Sequence, residues 1–254
     1  MFDKKYLNIL RELTVTDFKL KYSRSALGFA WSLLKPFLML ATLYIVFHIL
    51  LKLDVAYYEL FLLLGIVLWG FFSEATTFSM NNFLAKGGMI KKLHFPVSVI
   101  VVSSCLNAFI SLLLNLAVFF IFLLIVGISI TWHILFFALI LAEFFILSLG
   151  FAYGLTAFFV RFRDLSHIWE VLLQVGFWVS PIIYPVASVP PKYISLYMLN
   201  PVARVINDSR NALIYHGPLP SLLHITISLI LCASVYFFGL LIFRRMSPKF
   251  AEEI

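Results

Sequence analysis

Charge is what this sequence has least of: Asp, Glu, Lys and Arg make up 12% of its 254 residues, against 63% hydrophobic ones. A soluble domain carries about a quarter charged residues, so a water-facing globule is excluded. Cysteine is almost as scarce. Cys105 and Cys232 both fall inside apolar runs, which argues against a disulfide framework and leaves two small buried hydrophobes. No G-x-x-x-x-G-K-[ST] occurs. Gly87-Gly88 lacks a following Lys-Ser or Lys-Thr and a preceding strand, so no nucleotide is bound in the P-loop manner. No histidines stand in an H-x-x-x-H or H-E-x-x-H pair, and no metal ligand is expected. The first thirty residues have no apolar h-region, so a cleaved signal peptide is not expected. The formal net charge is +7, but its cations sit beside apolar runs, where they fix membrane orientation; nucleic acid is not an expected partner.

What is present is a series of apolar runs able to cross a bilayer. The expected fold is an all-α integral membrane protein with six transmembrane helices, at about 37–51, 59–80, 97–126, 132–159, 168–180 and 222–243. The third run, thirty residues, makes about 45 Å of helix and must tilt or protrude from an apolar core of about 30 Å. The chain reads as a single membrane domain over 1–254: an N-terminal interfacial helix at 1–31, six spans within 32–243, and a tail at 244–254.

Residues 17–36, DFKLKYSRSALGFAWSLLKP, organise the rest. Upstream of them, Phe2, Tyr6, Ile9, Leu10 and Leu13 recur at helical spacing opposite Lys4, Lys5, Arg11 and Glu12. Such an amphipathic helix lies on a membrane surface or, by the same pattern, packs on a partner. Lys19, Lys21 and Arg24 follow, while Phe18, Tyr22, Ala26 and Phe29 share one helix face. Trp31 stands where an aromatic-belt residue would, and Lys35 is placed to snorkel to the headgroups. Pro36 opens the apolar run, where its missing N–H costs nothing.

Orientation follows from the basic residues. Fifteen of the nineteen Lys and Arg fall on the side of both termini; only Lys52, Lys192, Arg204 and Arg210 fall on the other. Both termini are therefore expected in the cytoplasm, which requires an even number of spans. Between spans five and six, residues 181–220 hold seven of the ten prolines yet stay apolar. Broken helices at membrane depth are tolerated only where protein or a water-filled cavity surrounds them, so two short re-entrant helices are expected on the extracytoplasmic side. Glu74, Glu143 and Glu170 lie in or beside spans with no basic residue expected nearby, which points to structural pairing or channel lining rather than a proton relay.

The basic run with Tyr22, Ser25, Leu27-Gly28, Trp31 and Lys35-Pro36 resembles the same segment in permease subunits of type-2 ABC exporters, in the branch that exports O-antigen, capsule and teichoic-acid polymers. Arg163-Asp164, Ser180-Pro181-Ile182-Ile183-Tyr184-Pro185, Asn200-Pro201 and Arg210 extend the resemblance over most of the chain. It implies a subunit that is not itself an enzyme and carries no catalytic residue or cofactor. Its work would be to move a lipid-linked polysaccharide across the cell inner (plasma) membrane. The resemblance also implies a homodimer bound to two copies of a separate ABC ATPase, which would hold ATP and Mg.

Within that frame, residues 82–96 are the natural ATPase coupling element. Phe83, Leu84, Met89, Ile90, Leu93 and Phe95 supply its apolar face, flanked by Lys86, Lys91 and Lys92. A helix resting on anionic lipid would show the same pattern. Sugars stack their C–H faces on aromatic rings, so Trp69, Trp178, Tyr184 and Tyr193 are the expected channel-lining residues. Arg24, Trp31 and Lys35 are expected at the substrate's lipid head, where the cations either attract a diphosphate or only orient the first span. A type-2 exporter of a small molecule or antibiotic is the alternative reading. A membrane glycan-modifying transferase is the weaker one, since neither D-x-D nor H-x-x-x-x-D occurs.

Overall fold

A backbone in hydrocarbon must satisfy its own N–H and C=O groups, so apolar runs of this length fold as helices. The computed structural model describes residues 4–23, 28, 30–92 and 95–253, and every regular element among them is helical. α1 (Lys4–Ser23) precedes α2 (Ala30–Leu43), which continues through a π-helical stretch, Tyr44–Leu50. α3 (Tyr58–Ala85), α4 (Gly87–Lys92), α5 (Ser98–Ile125) and α6 (His133–Arg161) follow. Then come α7 (Leu165–Val179), α8 (Pro191–Tyr197), α9 (Pro201–Leu213), α10 (Leu222–Met246) and α11 (Phe250–Glu253).

Among the described residues, five helices are long and apolar enough to cross a membrane: Ala30–Leu50, Tyr58–Ala85, Ser98–Ile125, His133–Arg161 and Leu222–Lys249. α7 has 15 residues, or about 22 Å of helix, which is short of a hydrocarbon core of about 30 Å. Pro36 does not open its helix as the sequence predicts. α2 starts at Ala30, so the proline ring sits in the second turn and removes an interior hydrogen bond.

α3 is the core of the bundle. Of its apolar stretch 72% is buried, against 11% for α2 and 17% for α10, so those two keep wide faces for lipid or another subunit. α5 runs antiparallel to α3, with Phe109 edge-on to Phe71 and Cys105 against Ser79. α6 returns antiparallel to α5 through Phe109–Phe145 and Phe120–Phe137. α10 lies parallel to α6: Ser228 donates to Glu143 near one end, and Phe243 meets Tyr153 near the other. These two helices cross on glycine. A Cβ on Gly150 would lie 2.6 Å from Tyr236 Cα, and one on Gly239 would overlap the Gly150 carbonyl. Small residues at a crossing let membrane helices pack backbone to backbone.

Candidate translocation and coupling sites

α7 ends at Val179, and Ser180, Pro181, Ile182 and Ile183 then continue as buried, non-helical chain. Their carbonyls have no helical partners: Ser180 O accepts from Ile182 N at 2.7 Å, and side chains supply donors to the other three. Arg210 of α9 donates from Nη1 to Pro181 O and from Nη2 to Ile182 O, the latter at 2.9 Å. Its Nε and Nη2 also reach Phe61 O of α3, at 3.2 and 2.9 Å, and its Cζ stands 3.3 Å from the Phe61 ring centroid. These carbonyl dipoles and the ring favour the guanidinium's charge. Tyr58 donates to Ile183 O at 2.9 Å, and Tyr184 donates to the last carbonyls of α7. The carbonyls of the broken stretch are thus met by protein donors, as breaking a helix at membrane depth requires.

Both expected short helices are present beyond it, but they differ in setting. α9 is capped by Asn200, whose Oδ1 accepts from Val202 N at 3.0 Å and Ala203 N at 3.4 Å, and most of it is buried. α8 is exposed, with Tyr193, Leu196 and Lys192 outward.

At the opposite end, α1 meets α3 and α5 through a polar stripe. Thr14, Asp17 and Lys21 stand at spacings of three and four, hence on one face. Asp17 accepts from Lys86 at 2.5 Å and from Asn82 at 2.9 Å, and Asn82 in turn donates to Ser104. Asn107 donates to Thr14 O at 3.2 Å. Lys21 reaches Glu74 at 2.5 Å and Ser111 at 2.9 Å. Contrary to the sequence expectation, Glu74 is therefore not isolated, because α1 brings a cation to it from 53 residues away. Glu143 is also partnered, by Ser228 at 3.2 Å, beside the His224–Asp208 pair at 3.0 Å. Glu170 is exposed on α7, where Glu170, Gln174 and Trp178 follow at spacings of four and share a face.

Three of the four expected lining aromatics fall together. Trp69 lies over Gly176, whose Cβ would be 2.7 Å from the indole, and Phe177 links it to Trp178 at centroid distances of 6.3 and 5.7 Å. Tyr184 is tied to the Trp178 carbonyl. Tyr193 stands apart on α8, beneath Lys192 Nζ at 5.5 Å.

The expected ATPase-docking face is corrected in part. Phe83 is fully buried in an edge-to-face cluster with Phe243 and Phe250, at 5.9 and 5.4 Å, and Ile90 is 8% exposed. The apolar side of α4 is turned inward against α3 and α11. Leu84, Met89 and Phe95 are half-buried, and Gly88, Lys91 and Lys92 are exposed. Leu93 lies outside the described residues, as does Arg24. Trp31 and Lys35, four apart at the start of α2, are both exposed. Sequence reasoning missed the Asp17–Lys86 and Lys21–Glu74 pairs; the signal was the Thr14, Asp17, Lys21 spacing on α1.

A family profile described as ABC-2 type transporter matches residues 9–214. The chain belongs to the ABC-2 type transporter family. It is 29% identical over 254 residues to the O-antigen export system permease protein RfbA of Klebsiella pneumoniae, covering 96% of this chain and 94% of that protein. It is 26% identical over 258 residues to the RfbA permease of Myxococcus xanthus, covering 98% and 96%. The polysialic acid transport protein KpsM of Escherichia coli is 25% identical over 209 residues, with 79% of each chain covered. As a multi-pass ABC-2 chain, the protein is a transport subunit.

Proposed function

We propose that this chain is the permease subunit of an ATP-driven exporter that carries a lipid-linked polysaccharide across the inner membrane. The observation that carries this reading is similarity over 96% of the chain, end to end, to permeases named for O-antigen export. ATP and Mg would sit on a separate ATPase chain, present in two copies with two copies of this one.

Six crossings fit the geometry better than five. α6 and α10 are parallel, so the chain between them returns once across the bilayer. α7 with its extended continuation follows α3 antiparallel, from Trp169 on Thr76 to Ile183 on Tyr58. Together they cover the distance that α7 alone does not. An even count keeps both termini on the basic, cytoplasmic side, with α1 at that interface. The stripe of Glu170, Gln174 and Trp178 supports a pathway along α7, since polar groups do not face lipid cheaply. A second copy facing this stripe would enclose the pathway with an isologous contact.

Co-expression with candidate ABC ATPase chains, purification, and ATP hydrolysis measured with and without lipid-linked polymer test the reading. Stimulation by polymer is expected. Stimulation by small amphiphiles and none by polymer would refute it.

A further inference from the structure

Among α1, the first turns of α5, α6 and the end of α10 lies a cavity of about 720 Å³. That is within the range of about 300–1,000 Å³ that holds a bound small molecule. The broken segment, Arg210 and the aromatics Trp69, Phe177, Trp178 and Tyr184 are not among its described lining residues, so it is separate from the proposed pathway. Its walls are apolar, including Leu10, Val102, Leu149 and Leu240. Its polar lining groups are Tyr6, hydrogen-bonded to Ser98, with Tyr153, Tyr236, Ser247 and Arg244. Burial pushes the Tyr6 phenol up in pKa, as expected for a hydroxyl half inside an apolar wall.

Arg244 decides what fits. It is exposed, and among the described residues no carboxylate pairs with it. Among the described lining residues it is also the only Lys or Arg. α10 also carries Phe237 and Phe238 outward, each 66% exposed, the apolar exposure expected of a helix that meets acyl chains. Arg244 itself lies at the basic end of α10, where anionic headgroups collect. One cation over an apolar hollow matches one phosphate on acyl chains, and a diphosphate would leave charge uncompensated.

We propose that this cavity binds one anionic phospholipid, with acyl chains against α5, α6 and α10 and its phosphate on Arg244. Bound there, the lipid bridges α1 to α10.

The test is native mass spectrometry of the full chain in detergent, titrated separately with dioleoyl phosphatidylglycerol, dioleoyl phosphatidylcholine and undecaprenyl diphosphate. One phosphatidylglycerol should be retained about tenfold more tightly than phosphatidylcholine, the scale of one charge-assisted contact. Arg244→Gln, at an exposed position, should abolish that preference. Val102→Trp, which fills the hollow, should release both lipids; should it not fold, the Arg244 comparison still decides. Equal retention of the two phospholipids, or a preference that survives Arg244→Gln, overturns the proposal. Retention of undecaprenyl diphosphate in place of phosphatidylglycerol overturns it too, in favour of a site for the transported lipid.

Discussion

A Cβ on Gly65 would lie 2.7 Å from Nη2 of Arg210, so the glycine of α3 and the arginine of α9 share one space. The missing side chain admits the guanidinium to Phe61 O, Pro181 O and Ile182 O at once. A planar fork of five donors suits this task, and a lysine would supply only a point charge. The glycine therefore serves to place a donor, and the donor allows the chain to leave helical geometry inside the bundle.

Arg210→Ala leaves the Pro181 and Ile182 carbonyls buried without these donors. The expected loss of stability is about 2–6 kcal/mol, at about 1–3 for each of the two orphaned groups. Arg210→Lys should fall between, and Gly65→Ala should push the same way by displacing Nη2. Thermal unfolding of the purified chain in detergent measures all three; unchanged curves for Gly65→Ala and Arg210→Ala would sink the account.

The second prediction concerns the α6–α10 crossing. Gly239→Leu must drive the Gly150 carbonyl away, an overpacking that costs about 1–3 kcal/mol or more. Gly154→Ala meets Gly239 Cα only at 3.8 Å, and Gly70 has nothing within 4 Å of a Cβ. Monodisperse yield on size exclusion should collapse for Gly239→Leu and hold for Gly154→Ala and Gly70→Leu. Equal yields across the three remove the crossing from the fold's requirements.

The third concerns the pair that fastens α1. The side chains of Lys86 and Asp17 are 16% and 5% exposed, so solvent screening is weak. Removing one partner, by Asp17→Asn or Lys86→Met, should cost about 3–5 kcal/mol, because it leaves a buried charge. The double variant should recover part of that loss, with a coupling of about 0.5–3 kcal/mol. Strict additivity in the thermal midpoints contradicts the pairing.

Much of this architecture was legible because hydrocarbon imposes one demand on the backbone. The long runs at α3, α5, α6 and α10 needed nothing beyond hydropathy, and the prolines of 181–220 marked the broken region. Partners distant in sequence were not legible. Glu74 looked alone since its cation, Lys21, comes from α1, and Arg210 carried no local sign of the carbonyls it would meet. Phe83 read as one of an apolar face, and periodicity cannot say which side of such a face the chain's own α10 and α11 already cover. Pro36 misled for a related reason: hydropathy marks where apolar character begins, and α2 starts earlier, at Ala30.

The last prediction separates docking from folding at α4. If the ATPase binds this element, it must use the side that the chain leaves open: Gly88, half-buried Met89, Lys91 and Lys92. Phe83 is closed off by Phe243 and Phe250, so Phe83→Asp would bury a carboxylate among aromatic rings and should abolish monodisperse protein altogether. Met89→Asp, or Lys91→Glu with Lys92→Glu, should leave the permease inserted and monodisperse yet lower ATPase co-purification at least about tenfold, the scale of one hot-spot contact. Size exclusion, pull-down and ATP hydrolysis on the same preparations distinguish the two classes. Full ATPase recovery with both α4 variants would move the dock elsewhere, and a well-folded Phe83→Asp chain that has lost only its partner would return Phe83 to the interface.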